Sequence, residues 1–318
     1  MNTSFTRLIT TTLQSHGTEV FDAVSTNNAL FYMLRKRKNI KLSPGGRKFT
    51  HPIYWSQNST FQSYSHLAPI GTGQQEDITR GEYDVKSVAG SLVLSTMEEA
   101  MNAGSKEGLI KMAREVKEGA EISMVEVMGD QVWSDGTDID DMQGLRYLIG
   151  NTTAAAAVGA RGGIDRAVYA YWRNQVGTAT AVFGTDGLQQ WNTLLNNCTF
   201  GSQGPQAVFT TKTNYGYYER TQTANIRYYQ TELADSGFRH LAFATMPVLF
   251  DDNCPANGCY FIDLNSLWLQ LLSRGNFRTT EFQKSINQLS RVALMYVFGN
   301  ITTGSMRTQG FTSVTGYA

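Results

Sequence analysis

A strand followed by a helix gives the clearest periodic pattern in this chain. The apolar run Leu92-Val93-Leu94 is typical of a strand end, and Ser95 with Glu98 predicts a capping box at a helix start. Beyond a break at 102–104, apolar residues recur every three or four positions and predict a long helix over 105–128 with one buried stripe. The stripe consists of Leu109, Met112, Ala113, Val116, Ala120, Met124, Val127 and Met128.

A two-residue alternation upstream of this helix predicts a β-hairpin. Phe49, Ile53 and Trp55 occupy one side of a first strand, and Tyr83 and Val85 occupy one side of a returning strand. The polar, glycine-containing stretch between them predicts a loose tip. Because two strands alone are marginally stable in water, the hairpin needs another surface, either its own domain or a neighbouring copy. The apolar residues near its tip are Trp55, Phe61, Tyr64 and Leu67.

The first 39 residues are predicted to form an amphipathic arm. Phe21, Leu30 and Phe31 belong to its apolar positions, which are too few to build a core alone. The arm ends in the basic run Arg35-Lys36-Arg37-Lys38, which suits the C-terminal end of a helix dipole. A contact with an acidic partner or nucleic acid is the alternative interpretation of this run.

The remaining chain indicates an α+β fold with an inserted domain. Residues 134–287 are rich in strands with added helices, and the stretches 241–243 and 247–250 are predicted to be paired buried strands. A helix is predicted over 215–229. The continuous apolar run 292–298 is typical of a strand buried on both faces, which we expect to pair with the strand that precedes the long helix.

Composition favours self-association over binding to nucleic acid as the main role. The 318 residues include 27 basic and 27 acidic side chains, and charged residues make up 17% of the chain, below the usual ~25%. Near-zero net charge promotes association, whereas nucleic-acid binding calls for a basic excess. The chain contains neither an apolar run of the ~18 residues of a membrane span nor the apolar core of a signal peptide, so no membrane partner is expected.

Candidate chemical sites are weak. The carboxylates of 135–141 do not match the spacing of a calcium-binding loop and predict a solvated turn, although a metal-dependent hydrolase built on them is a rival hypothesis. The three cysteines, Cys198, Cys254 and Cys259, fit a reducing compartment, and Cys254 and Cys259 are predicted to be small buried residues. The four histidines lie outside recognisable catalytic or metal motifs. We therefore expect no catalytic, cofactor-binding or metal-binding residues, and no enzymatic activity.

A glycine-rich segment precedes a tryptophan-containing one in the middle of the chain. Gly162 and Gly163 permit a tight backbone path, and the adjacent Asp165 and Arg166 are each expected to cap locally or to pair elsewhere. The segment lacks the spacing of a phosphate-binding loop. Trp172 follows shortly afterwards, in Trp172-Arg173-Asn174.

The order of these parts resembles the major capsid proteins of tailed bacteriophages, whose fold is shared with bacterial encapsulin shells. Gly162, Gly163, Asp165, Arg166 and Trp172 belong to one of the motifs that carry the resemblance. The other segments are 78–104, 133–136, 173–174, 247–251 and 260–265.

The resemblance implies four structural parts. These are an N-terminal arm (1–39), an extended hairpin called the E-loop (40–80), a peripheral domain built on the long spine helix (81–133 and 288–318), and an axial domain (134–287). In such shells, axial domains meet at the centres of hexamers and pentamers, and the E-loop lies over a neighbour. The expected contacts between subunits come from Phe21, Leu30, Phe31, Phe49, Ile53, Trp55, Phe61, Tyr64 and Leu67.

The function implied by the resemblance is self-assembly into the icosahedral head of a tailed phage, in the cytoplasm of the bacterial host. Further expected partners are portal protein, scaffolding or decoration proteins, and packaged double-stranded DNA contacted non-specifically at the inner face. An encapsulin-like shell of a bacterial nanocompartment is the alternative.

Overall fold

The computed structural model describes residues 28–73, 76–101, 106–179, 182–222 and 240–317. The α-helices α1 to α7 are Ala29–Lys36, Thr96–Met101, Lys106–Val132, Leu145–Leu148, Thr153–Ala157, Leu188–Cys198 and Lys212–Thr221. The strands β1 to β16 are Ile40–Ser43, Lys48–Tyr54, Ile78–Asp84, Lys86–Ser95, Ala160–Arg161, Ile164–Asp165, Gln175–Val176, Ala207–Thr210, His240–Phe243, Met246–Phe250, Gly258–Ile262, Leu267–Leu272, Arg278–Thr279, Gln283–Lys284, Ser290–Thr303 and Gly310–Ser313.

The first sheet is organised around the long strand β15. Its strand order is β1-β12-β15-β13, and β4 and β14 also pair with β15. The β4–β15 pair is antiparallel from Lys86 opposite Gly299 to Ser95 opposite Ser290, as predicted for the strand that precedes the long helix. Met128 of the spine helix α3 is buried in the same core as Leu92 of β4, so the helix is held on this sheet by packing.

The spine helix follows the sequence pattern closely. A short helix, α2, ends at Met101, and α3 then continues to Val132, four residues beyond the predicted end. Met124 and Met128 are buried, and Val116 and Ala120 pack half-buried against the core. Val127 is 42% exposed, so its assignment to the buried stripe is wrong; it lines an open groove between α3 and β4. The side chains of Leu109, Met112 and Ala113 lie outside the described residues.

The second sheet has a core of its own. Its order is β7-β16-β11-β8-β10-β9, and β8 and β11 are buried along their whole lengths. Antiparallel pairing of β9 with β10 confirms the prediction for 241–243 and 247–250. Trp191 of α6 and Tyr218 of α7 pack on this sheet, with ring centroids 5.1 Å apart. Helix α7 ends at Thr221, earlier than predicted, and residues 223–239 lie outside the described residues.

The two sheets divide the chain differently from the predicted domain ranges within 134–318. Strands β12 to β14, assigned to the axial domain 134–287, pair within the first sheet, whereas β16, assigned to the peripheral part 288–318, pairs with β11 in the second sheet. The chain therefore passes between the sheets more often than predicted. Two of these connections meet at Asp263. This residue follows β11 and accepts hydrogen bonds from Ser266 Oγ (2.9 Å), just before β12, and from Thr308 Oγ1 (2.8 Å), just before β16.

The range predicted for the E-loop, 40–80, includes a strand of the first sheet as well as the hairpin. Residues 40–43 form β1, which pairs in parallel with β12 as part of the first sheet. The hairpin proper begins at Lys48. Among the described residues, no helix is long and apolar enough to cross a membrane.

Candidate inter-subunit surfaces

The predicted hairpin is present as β2 and β3. The strands pair antiparallel from Lys48 opposite Asp84 to Tyr54 opposite Ile78. Burial alternates along β2, so Phe49, His51 and Ile53 face the body of the subunit while their neighbours are exposed. One side of the hairpin is therefore already covered by its own chain.

Tyr83 anchors the base of the hairpin. Its hydroxyl donates to the Thr303 carbonyl oxygen at 2.9 Å, and burial raises the pKa of this phenol well above its usual value. The neighbouring Glu82 amide donates to the Gly162 carbonyl oxygen at 2.8 Å. A Cβ on Gly162 would lie 2.8 Å from the Tyr83 ring, which shows why this position of the glycine pair takes no side chain.

The loop that follows the glycine pair is held in place by hydrogen bonds of Asp165, Arg166 and Trp172. Asp165 Oδ1 accepts from the Ala167 amide at 2.9 Å, which confirms a local cap. Arg166 is 1% exposed and donates to the carbonyl oxygens of Ala155 and Val158, and burial lowers its pKa to about 10. Trp172 Nε1 donates to the Arg161 carbonyl oxygen at 2.8 Å. The motif therefore orders the surface on which the hairpin base rests.

His51 makes a buried polar contact that the sequence analysis did not identify. Its Nε2 lies 2.9 Å from Thr302 Oγ1 and 3.0 Å from Gln270 Nε2, and its ring stacks on Trp268 with centroids 4.6 Å apart. Burial, with a smaller contribution from Lys41, lowers the pKa of His51 to about 4. The available signal was the position of His51 on the apolar face of β2, midway between Phe49 and Ile53.

Beyond the paired strands, the hairpin ends in a loop with exposed apolar side chains. Asn58 Oδ1 accepts from the amide and the hydroxyl of Thr60, and the hydroxyl of half-buried Tyr64 donates to the Thr60 carbonyl oxygen at 2.8 Å. On this hydrogen-bonded loop, Phe61 is 87% exposed and Leu67 is 89% exposed. We refer to Phe61, Leu67 and the exposed Ile70 as the apolar tip.

Trp55 has contacts with its own chain. Its ring stacks on Tyr171 at a centroid distance of 5.5 Å and lies 6.4 Å from Tyr169. Its exposed fraction is 40%, so part of the indole surface remains open to a neighbour.

Four of the nine residues expected to contact other subunits are buried inside their own subunit. Leu30 and Phe31 lie in the core on α1, whose start is capped by Asn28 Oδ1 accepting from the Phe31 amide at 2.9 Å. Phe49 and Ile53 lie in the same core. The body of the chain therefore supplies apolar surface that covers these four side chains. Phe21 lies outside the described residues.

The basic run at the end of α1 lies on the surface. Arg35 and Lys36 occupy the last turn of the helix, where positive charge suits the helix dipole. Arg37 Nη1 donates to Gln206 Oε1 at 2.8 Å, and all four residues of 35–38 are exposed.

The carboxylates of 135–141 have separate partners. Asp135 accepts from the amide and hydroxyl of Thr137, which lower the pKa of this carboxyl, and lies 3.3 Å from Arg146. Asp141 accepts from Gln131 Nε2 at 2.7 Å and from Ser134 Oγ at 3.1 Å. Within the described ranges, no three acidic, histidine or cysteine side chains are grouped to hold a metal ion.

All three cysteines are free and buried, which confirms the predicted burial of Cys254 and Cys259. Burial raises the pKa of Cys198 and of Cys259 to about 12, so neither thiol is activated as a nucleophile.

Comparison with known proteins gives similarity in structure alone. No protein-family model and no curated protein matches the chain. The cyanophage A-1(L) capsid protein aligns over 87% of this chain and 90% of its own, with a TM-score of 0.69 and 13% identity. The capsid of a native GTA particle (TM-score 0.55, 12% identity, 89% of each chain) and that of the Myoviridae phage XM1 (0.53, 10%, 88% and 91%) align similarly. The chain therefore has the phage capsid-protein fold that the sequence resemblance implied.

Proposed function

We propose that this chain is a capsid protein that self-assembles into a closed shell. The observation that carries the proposal is the apolar tip, in which Phe61 and Leu67 are almost fully exposed on a hydrogen-bonded loop. Burying apolar surface yields about 25 cal/mol per Å², so a partner that covers these side chains is strongly favoured. The capsid fold supports a second copy as that partner.

The tip is suited to contact a neighbour because the base of its hairpin is fixed. Phe49, Ile53 and Tyr83 bury the paired strands in the subunit, so the direction of the loop is set before assembly. Because the hairpin is already held in place, it loses less conformational entropy on binding a neighbour than a flexible arm would. One hairpin does not supply the roughly 800 Å² per partner of a stable interface, so other surfaces must contribute.

We further propose that the shell is the head of a tailed phage. It would be built from hexamers and pentamers in the bacterial cytoplasm and would enclose double-stranded DNA. The basic run at 35–38 supports a weak, non-specific contact with phosphates, while the balanced charge of the whole chain limits its strength. Portal, scaffolding and decoration proteins are the further partners. The proposal assigns no catalytic role, which the separately bonded carboxylates and buried cysteines support.

Electron microscopy of the purified full-length chain tests self-assembly. The wild type is expected to form closed shells, whereas a variant with Phe61→Ser and Leu67→Ser is expected to fold with unchanged circular dichroism and remain unassembled. Ile139→Ser is the matched control, because Ile139 is 81% exposed in the turn that follows α3 and is not part of the apolar tip. Assembly of the tip variant at the wild-type concentration, or a wild type that stays monomeric when concentrated, would refute the proposal.

The contents of the shell distinguish a phage head from an encapsulin-like compartment. Arg35→Gln with Lys38→Gln is expected to weaken binding of duplex DNA and to make its logarithmic salt dependence shallower by about 0.9 per lost phosphate contact. Lys284→Gln, at an exposed position on β14, is expected to bind DNA like the wild type. Shells that enclose protein and bind no DNA would favour the encapsulin-like function.

A further inference from the structure

The base of the hairpin has a hydrogen-bond arrangement that requires neutral histidine. Gln270 Nε2 can donate but cannot accept, so His51 Nε2, 3.0 Å away, must accept from it and the ring proton must lie on Nδ1. A proton added at Nε2 could be shared with Thr302 Oγ1, but Gln270 would then lose its acceptor. His51 is 6% exposed, so the charge of its protonated form would also be poorly solvated.

The groups around His51 do not compensate for such a charge. From β1, Lys41 places its Nζ 4.0 Å from the centroid of the Trp268 ring on which His51 stacks. From β3, Tyr83 presents its ring edge at 6.3 Å and is neutral in acid. The contacts from β12 and β15 come from Trp268, Gln270 and Thr302, which do not titrate. Among the described residues, no carboxylate forms an ion pair with His51.

We propose that His51 is an acid-sensitive lock, and that protonating it releases the hairpin from β12 and β15. His51 stands on the hairpin, whereas its hydrogen-bond partners stand on two strands of the first sheet. Moving the hairpin away from the sheet exposes the imidazole to water and relieves its proximity to Lys41. Acid therefore favours the detached hairpin without requiring the sheet to unfold.

The expected size of the effect follows from proton linkage. An exposed histidine has a pKa of 6.5, and burial lowers that of His51 to about 4. The lock is fully effective above pH 6.5 and weakens as the pH falls towards 4, because the detached form binds the proton preferentially. Relative to neutral pH, the ratio of detached to locked hairpin is expected to rise by about 100-fold by pH 4, towards a limit of about 300-fold at lower pH.

Hydrogen exchange of the full-length chain, kept dilute and unassembled, measures this release. After correction for the intrinsic effect of pH on exchange, amides of β2 and β3 are expected to lose protection between pH 7 and 4.5, while those of β8 and β11 keep it. His51→Gln retains a hydrogen-bond acceptor but cannot be protonated, so it should abolish the pH dependence. His66→Gln alters an exposed histidine in the loop and should behave like the wild type.

A second variant keeps the proposal testable if His51→Gln does not fold. Lys41 is exposed, and Lys41→Gln removes the cation beside the Trp268 ring, so the protonated histidine is better tolerated in the locked form and hairpin release should shift to lower pH. Hairpin protection that is unchanged down to pH 4.5, or that is lost together with β8 and β11, would overturn the proposal. So would an unshifted midpoint in the Lys41→Gln variant. The measurement uses single chains, so its outcome does not depend on whether the chain builds a shell.

Discussion

At the scale of single residues, the glycine pair at 162–163 separates two physical effects. Both residues have positive φ angles, +57° and +76°, which favour glycine. Gly162 also lies against the Tyr83 ring, whereas the nearest atom to a Cβ on Gly163 would be 4.0 Å away. Backbone strain is thus common to both positions, and steric overlap is specific to the first.

Alanine substitutions at these two positions should therefore differ. Gly163→Ala is expected to lower the free energy of unfolding by ~1–2 kcal/mol through backbone strain. Gly162→Ala should cost ~1–3 kcal/mol more, because the added methyl group must displace Tyr83. Urea denaturation of unassembled protein measures both values. Equal losses would show that the Tyr83 contact does not set the requirement for glycine.

The sequence marks these residues as special but does not show what they contact. The tight backbone path of the glycine pair was predictable, and a local cap was one of the two roles expected for Asp165, because both effects act within a few residues. The contact of Gly162 with Tyr83 and that of His51 with Gln270 join positions far apart in the chain. A single sequence contains no signal for such pairings, since many residues could satisfy the same chemistry.

At the scale of elements, the spine helix owes its position to its packing on β4 and β15. Met128 is fully buried in this core, whereas Ile122 on the same helix is 62% exposed. Met128→Ala is expected to reduce the free energy of unfolding by ~2–5 kcal/mol. Ile122→Ala should change it by less than ~0.5 kcal/mol, and chemical denaturation distinguishes the two. Similar losses at both sites would contradict the described orientation of the helix.

The hairpin is held at Trp55 by a weaker contact than at its base. Trp55→Ala removes the stacking on Tyr171 and is expected to cost ~0.5–1.5 kcal/mol of stability while leaving the fold intact. Tyr54→Ala, next in the chain but 76% exposed, is the control for stability. Under the proposed function, the Trp55 variant should also assemble poorly in electron micrographs. Loss of folding in this variant would instead indicate that the whole hairpin depends on Trp55.

Periodicity predicted the elements better than their partners. The alternation in β2 correctly marked Phe49 and Ile53 as one apolar face, but the surface that covers this face proved to be the subunit itself. The return strand β16 pairs with β11 in the second sheet although the predicted range 288–318 grouped it with β15, because alternation identifies a strand without identifying its neighbour. The apolar tip was recognisable because its aromatic and aliphatic residues lie in a polar stretch without strand periodicity.

At the scale of the whole molecule, charge and apolar exposure predict how assembly responds to salt. The chain has 27 basic and 27 acidic residues, so copies do not repel one another through net charge. The surface proposed to drive association is apolar, and salt reduces the screening length from about 10 Å at 0.1 M to about 3 Å at 1 M without weakening apolar burial. Raising the salt concentration therefore removes charge–charge attraction between subunits while leaving the tip contact in place.

Shells formed at 0.1 M NaCl are accordingly expected to remain assembled at 1 M NaCl. Cooling should raise the protein concentration needed for assembly, because apolar burial weakens at low temperature. Sedimentation velocity at several protein concentrations measures both effects. The tip variant Phe61→Ser with Leu67→Ser should stay unassembled under all of these conditions. Dissociation of wild-type shells at 1 M NaCl would show that ion pairs, rather than the apolar tip, hold the subunits together.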